Sequence, residues 1–466
     1  MSHTHVAGSI HADVSAPAPG WLRRPDDVNA LLPQLWARGV TRSPSGELEV
    51  AGIGVTRLAA EAGTPAYVFD EADLRARARA FADAFAGWQV YYAGKSFLCT
   101  AVARWVAEEG LSLDVCTGGE LAVALRAGVD PARIGFHGNN KSVAELAAAL
   151  DAGVGRIVVD STIELERLSA LAAERGVRAP VLIRVTVGVE AHTHEYIATA
   201  HEDQKFGFSL VTGEAMAAVE SCLAAPGIDL RGIHSHIGSQ IFETSGFEIA
   251  VRRTVGMLAD IASRTGRELP ELDLGGGFGI AYTTLDDPAP PQQLADELAA
   301  LVRAECAARG IGVPELSIEP GRAISGPAAF MLYEVGTVKP VTLSGGGVRT
   351  YLSVDGGMSD NIRTALYAAE YSATLANRAS DAPPVLCRVV GKHCESGDIV
   401  VRDEFLPGDI VPGDLIAVPG AGAYARSMAS NYNHVPRPPV IAAADGEWRT
   451  LVRRETVDDL LALDVG

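Results

Sequence analysis

The chain has 466 residues, a formal charge of −19 and an apolar fraction of 48%. That length suits two or three domains, or one large barrel with an appendage, and the composition is that of an ordinary globular protein. The negative charge argues against nucleic acid as a partner, and no run of 18 apolar residues is present to span a membrane.

Residues 1–20, MSHTHVAGSIHADVSAPAPG, have neither the basic start nor the apolar core of a signal peptide. They open an N-terminal tail over 1–44 that is expected to be partly disordered. The stretch GELEVAGIGVTRLA at 45–58 predicts a strand within 45–60 that joins a later β domain. Six cysteines (Cys99, Cys116, Cys222, Cys306, Cys387, Cys394) follow without CxxC pairs or regular spacing. They suggest the reduced thiols of a cytoplasmic protein, neither a disulfide framework nor a zinc site.

From residue 89 onward short apolar runs alternate with Ala/Leu-rich segments of helical spacing. The runs are QVYYA at 89, SLDVC at 112, RIGFH at 133, RIVVD at 156, VLIRV at 181, GIHSH at 232, ELDLG at 271 and LSIEP at 316. Repeated βα units read as a parallel sheet, and eight of them predict a (β/α)8 TIM barrel over 61–324. A doubly wound open sheet is the rival architecture. Between the fifth and sixth strands lies VGVEAHTHEYIATAHEDQKFGFS; its His192, His194 and His201 are expected in a solvated loop, and no metal site is predicted. Beyond residue 324 the turns PVTLSGGGVRT, LPGDIVPGD and VPGAGAY separate short β-rich runs. They predict a mostly antiparallel β domain over 325–466, closed by a short helix at TVDDLLAL.

Barrel chemistry collects just past the C-terminal strand ends. Here those ends read GKS, CTGGE, HGNNK, DST, RVT, HIGSQ, GGGFG and EPGR. The first holds Lys95. A buried ammonium is costly, and the chain has only five lysines against 34 arginines, so a lysine in an apolar run is chosen for its amine. GGGFG is either a tight turn or an anion cradle. HSHIGSQ puts His234 and His236 on one strand face by the two-residue period. Asp114 and Glu120 flank the second strand end and are expected to orient neighbours or cap the next helix. Lysine, imidazole, glycine nest and carboxylate together suit a pyridine aldehyde phosphate, which needs a Schiff-base amine, a partner for its ring nitrogen and an anion cradle.

The ordered set YYAGKSF, DVCTGGEL, HSHIGSQ, DLGGGFGI, EPGR, DGGMSDNIRTALY, CESGD and AGAY resembles the meso-diaminopimelate decarboxylases. These belong to the alanine-racemase-like (fold type III) group of pyridoxal-phosphate enzymes. The resemblance covers about residues 60–437, and the His-containing loop and polar tail resemble the actinobacterial branch. It implies pyridoxal 5'-phosphate as cofactor and conversion of meso-2,6-diaminopimelate to L-lysine and carbon dioxide, the last step of lysine biosynthesis. By matching motif, Lys95 would carry the cofactor and His236 would stack on its ring. Gly276 and Gly277, helped by Ser239, would hold the phosphate. In the Glu319-Pro320-Gly321-Arg322 turn, Glu319 would pair with the ring nitrogen, and Arg322 would meet both the cofactor region and a substrate carboxylate. Arg363 and Tyr367 would bind the far end of the substrate, Cys394 would return a proton, Glu395 would accept the distal ammonium, and Tyr424 would close the pocket. Cys394 and Glu395 would come from the partner subunit of a homodimer. Ser96 stands where family members often have alanine. Ornithine, arginine and lysine decarboxylases of the same fold share much of this set, as would a racemase or a non-catalytic cofactor-binding homologue. A racemase needs a second base where this chain has Cys-Glu, and a non-catalytic homologue would be expected to lose Lys95, Cys394 or Arg363.

Overall fold

The computed structural model describes residues 18–188, 205–242, 244–344 and 346–466. The first 17 residues of the expected tail, and His192, His194 and His201, lie outside the described residues. Two compact units are present. A barrel unit takes Arg75–Gly279 and Pro288–Ile324, and a β unit takes Met1–Leu74, Ile280–Asp287 and Ser325–Gly466. Among the described residues no helix is long and apolar enough to cross a membrane.

The β unit begins with β1 (Val40–Arg42), β2 (Leu48–Val50) and β3 (Ile53–Gly54), which form their own three-stranded antiparallel sheet. Leu48, Val50, Ile53 and Leu58 of this segment are buried in one cluster with Phe330, Ala417 and Ile441. The segment expected as one strand over 45–60 is therefore a small sheet and a helix, Val55–Ala62. The next strand, β4 (Ala66–Asp70), is buried along its whole length.

The barrel unit is built from β5 (Gln89–Ala93), β6 (Ser112–Val115), β7 (Ile134–Phe136), β8 (Arg156–Val159), β9 (Ala179–Thr186), β10 (Phe208–Ser209), β11 (Ile228–His234), β12 (Glu271–Asp273) and β13 (Glu315–Ile318). Neighbours pair in parallel in the order β9-β11-β12-β13-β5-β6-β7-β8, and β8 returns to β9, so eight strands close. The short β10 adds to β9 by pairing Phe208 with Val185. Strands such as β6 and β7 are buried throughout, as parallel strands covered on both faces must be, and so read as mostly apolar runs. Closure sets β13 against β5 through Ile318 and Val90. The ends of the first and last strands, far apart in sequence, thus emerge side by side.

Several short βα loops end in a cap. Thr117 accepts from the Glu120 amide, Ser161 from the Glu164 amide, and Ser142 forms a full capping box with Glu145. These hydroxyls satisfy amides that have no partner within the helix. Part of the polarity at the strand ends is therefore helix capping.

The rest of the β unit comprises β14 (Ala329–Thr342), β15 (Val348–Val354), β16 (Thr374–Leu375), β17 (Pro384–Val390), β18 (Ile399–Pro407), β19 (Leu415–Pro419), β20 (Val440–Ala444) and β21 (Glu447–Val452). The sheet order is β18-β17-β15-β14-β4-β20-β21, with β19 pairing β14 and β16. All pairings are antiparallel except β15–β17 and β20–β4. β4 sits inside this sheet, between β14 and β20. Residues 66–70 therefore differ from the sequence expectation, which assigned them to the barrel stretch 61–324. A strand apolar on both faces looks the same in either setting. At the C terminus Thr456 caps the helix Val457–Leu461 in a capping box with Asp459.

Candidate active site

Lys95 sits in a single 3-10 turn, Gly94–Ser96, directly after β5. Ser96 holds that turn: its buried hydroxyl donates to Ala93 O at 2.9 Å and lies 3.1 Å from the Tyr92 hydroxyl, which itself donates to Phe97 O at 2.7 Å. The serine that departs from the family pattern is thus a local brace. Lys95 is partly exposed, while Gly94 and Ser96 on either side are buried. Its charge lowers the Asp114 and Glu120 carboxyls against the burial that raises them, and it disfavours a charged His236. The Glu120 carboxylate accepts from the Cys116 amide at 2.6 Å, the orienting role expected for it.

Beside Lys95 the Glu319-Pro320-Gly321-Arg322 turn follows β13. Pro320 O accepts from the Ala93 amide at 3.3 Å, and a Cβ on Gly321 would come within 2.9 Å of Ala93. This turn is pressed against the lysine turn. Arg322 is buried and donates to Ser239 Oγ at 2.8 Å. Glu319 is 4% exposed. Its Oε1 lies 3.0 Å from His137 Nε2 and 3.1 Å from His234 Nε2. Burial alone would raise the Glu319 carboxyl, but the two histidines outweigh it and hold it well below the usual range.

The glycine turn lies between the Glu319 strand end and the HSHIGSQ segment. Gly275 and Gly277 have φ of 71° and 109°, which L side chains rarely adopt. A Cβ would lie 2.5 Å from Ser235 O at Gly275, 2.2 Å from Glu319 O at Gly276 and 2.5 Å from Gly238 O at Gly277. Only glycine lets the backbone approach this closely. The Gly276 amide donates to His236 Nδ1 at 3.2 Å, which leaves the proton of the neutral ring on Nε2. Desolvation, helped by Lys95, keeps His236 well below the usual histidine range. A neutral flat ring, an amide-rich glycine turn, a buried ionised carboxylate and a partly exposed amine fit a pyridine aldehyde phosphate.

Sequence reasoning missed three parts of this cluster. His137, just past β7, is buried and also lies 3.5 Å from Asp114 Oδ1. Burial works against charge on its ring, but Asp114 and Glu319 outweigh it and raise it. Asp273 accepts from the Gly275 amide at 2.8 Å and anchors the start of the glycine turn; burial pushes its carboxyl up to about 8. Lys141 is more buried than Lys95, at 2% exposed, yet its ammonium is saturated by Glu164 at 2.7 Å, Gly138 O at 2.6 Å and Val158 O at 2.8 Å. A buried lysine with three acceptors is a structural rivet and not a reactive amine.

The remaining predicted residues lie in the β unit. Arg363 is 6% exposed, opens the short helix Arg363–Tyr367, donates to the Tyr371 hydroxyl at 2.5 Å and stacks 4.7 Å from the Tyr282 ring centre. Among the described residues no carboxylate pairs with it. Tyr367, four residues on, is partly exposed. Tyr424 stands at φ 59°, a strained backbone for a bulky residue, of the kind that collects at functional sites. Cys394 and Glu395 are exposed on a loop whose frame is buried. Asp398 accepts from the Met358 amide at 2.5 Å and the His393 amide at 2.7 Å. Glycines at 357 and 391 give it room, because a Cβ on either would fall within 2.5 Å of its carboxylate. His393 spans Ser359 Oγ at 2.8 Å and Asn433 Oδ1 at 3.0 Å. In CESGD the aspartate is therefore the anchor, and the cysteine and glutamate are what it presents.

Residues 71–326 match the pyridoxal-binding domain of the pyridoxal-dependent decarboxylases. The chain is 58% identical over 440 residues to the diaminopimelate decarboxylase of Mycobacterium tuberculosis, covering 93% of this chain and 98% of that one. To the diaminopimelate decarboxylase of Mycobacterium leprae it is 55% identical over 470 residues, covering 99% and 100%. Its structure is similar to that of the diaminopimelate decarboxylase of M. jannaschii in complex with L-lysine, with a TM-score of 0.86 at 30% identity over 93% of this chain and 99% of that chain.

Proposed function

The chain belongs to the diaminopimelate decarboxylases, within the pyridoxal-dependent decarboxylases, and from that premise we propose how its residues divide the work. The reaction converts meso-2,6-diaminopimelate to L-lysine and carbon dioxide with pyridoxal 5'-phosphate as cofactor. The observation that carries the assignment of roles is the closure of β13 on β5, which brings Lys95 beside Glu319–Arg322.

Lys95 Nζ would anchor the cofactor aldehyde. His236, its Nδ1 fixed by the Gly276 amide, would offer its neutral ring to the cofactor ring, and the turn at Gly276–Gly277, with Ser239 and Arg322, would hold the phosphate. Glu319 would meet the ring nitrogen as a carboxylate. The bound cofactor supplies an electron sink for the carbanion left when carbon dioxide departs. The chain's main contribution would be to hold the substrate in one orientation at this site, and well-placed groups supply roughly 7–11 kcal/mol. Cys394 Sγ then delivers a proton to the substrate carbon. Arg363 and Tyr367 take the distal carboxylate, Glu395 the distal ammonium, and Tyr424 closes over both cofactor and substrate.

We further propose a cytoplasmic homodimer in which Cys394 and Glu395 serve the partner's barrel. Their outward presentation from a buried frame supports this reading, as do six unpaired thiols. Hybrid formation tests it. Lys95→Ala and Cys394→Ala, each close to inactive alone, are expected on equal mixing and reassociation to recover about a quarter of wild-type activity, because half the dimers then hold one intact site of two. A mixture no more active than its parents contradicts shared sites.

A further inference from the structure

His137, His234 and Glu319 come from the ends of three strands, β7, β11 and β13, and their nitrogen and oxygen donors lie within 4.8 Å of one another. Both histidines bring Nε2 to the same carboxylate oxygen, Oε1, at 3.0 and 3.1 Å. Their rings stand edge to face, with centroids 5.0 Å apart at 72°. Two ring nitrogens thus crowd one oxygen from crossed rings at contact distance, although neither N–H direction completes a hydrogen bond to it among the described residues. For both to donate, each ring must carry its proton on Nε2.

The local chemistry agrees with that assignment. Burial lowers His234 to about 4, so it is a neutral ring near neutral pH. Both of its nitrogens are buried without a hydrogen-bond partner among the described residues, and Nε2 is the one that faces Glu319 Oε1, at 3.1 Å. His137 sits between two acids, Glu319 at 3.0 Å and Asp114 at 3.5 Å, which favour its charged form. A carboxyl as deeply buried as Glu319 would otherwise hold its own proton. A protonated acid cannot keep a pyridine nitrogen charged.

We propose that His137 and His234 are positioning residues for the decarboxylation: they grip Glu319 by Oε1, hold it as a carboxylate in one plane, and leave Oε2 to meet the ring nitrogen of the cofactor. The inference rests on the role of Glu319 given above. Neither histidine needs to touch the substrate.

The test compares His137→Ala, His137→Gln, His137→Asn and Glu319→Gln, each as cofactor-free protein and as reconstituted enzyme. Outer partners that orient a site's primary groups typically contribute about 10–100-fold. His137→Ala is therefore expected to lose kcat in that range while KM for meso-diaminopimelate stays within about twofold. It is also expected to weaken the cofactor dissociation constant and to shift the absorbance band of the bound cofactor. His137→Gln, whose amide N–H can still reach Oε1, is expected to restore most of kcat and the wild-type spectrum. His137→Asn, too short to reach, repeats the alanine result without a large void. Wild-type kcat and spectrum in His137→Ala overturn the proposal. So does a loss that glutamine fails to rescue and that a lowered melting temperature of the cofactor-free protein matches, since that marks a purely structural role. Glu319→Gln separates the two levels. If it is inactive while His137→Ala and His137→Asn keep the wild-type kcat and spectrum, only the histidine inference fails; if it keeps full kcat, the role of Glu319 itself is wrong.

Discussion

Lys95→Ala is expected to reduce carbon dioxide release by roughly four orders of magnitude or more, the scale seen when a covalent catalytic group is removed. After borohydride treatment the wild-type chain should carry the reduced cofactor on the peptide containing Lys95, and the variant should carry none. The fold should survive. The turn around residue 95 is held by Ser96, Tyr92, Pro320 and Gly321, and the lysine side chain is the one partly exposed member of that turn. The cofactor-free melting temperature should therefore change little. Cofactor affinity should fall, but not vanish, because the glycine turn, Arg322 and Glu319 remain. A variant that still turned over at the wild-type rate would remove Lys95 from the mechanism.

The second large effect concerns substrate choice. Arg363 is a buried cation with tyrosines around it and no carboxylate partner among the described residues. A guanidinium in that position matches an incoming carboxylate in a two-pronged geometry that lysine cannot reproduce. Breaking such a buried charge pair costs about 3 kcal/mol, or roughly 100-fold. Arg363→Leu should lower kcat/KM for meso-diaminopimelate by about that factor, whereas kcat/KM for L-ornithine, which lacks the distal carboxylate, should stay within about threefold. Arg363→Lys, charged but unable to fork, should fall between. A folded Arg363→Leu protein that keeps its full preference would place the distal carboxylate elsewhere.

The barrel was legible in the sequence because its strands are buried on both faces. Short apolar runs such as IGF in β7 and IVV within β8, each followed by a polar residue, leave little choice of element. The same property hid the true place of β4. AYVFD looks like another barrel strand, but its partners are β14 and β20, hundreds of residues away, and pairing at that distance leaves no local mark. Polarity at the strand ends was a mixed signal. In GKS and EPGR it belongs to the site, whereas Thr117, Ser142 and Ser161 spend it on helix caps. A lysine in apolar surroundings was likewise ambiguous until its acceptors were visible. Lys141 has three, from Gly138, Val158 and Glu164, and two of these come from elements that HGNNK itself does not announce. His137 was unreadable for the same reason: its meaning comes from Glu319 across the barrel. Nor did anything near NIRTALY announce that Tyr282 would stack on Arg363.

We propose that one amine, one carboxylate and one glycine turn carry the decarboxylation. Carbon dioxide release by the wild-type protein, reconstituted with pyridoxal phosphate and given meso-diaminopimelate or L-ornithine in parallel, measures it most directly. Release from meso-diaminopimelate, with L-lysine formed in equal amount and a far lower kcat/KM for ornithine, is the predicted result. Greater efficiency on ornithine, or no release from meso-diaminopimelate, would contradict it.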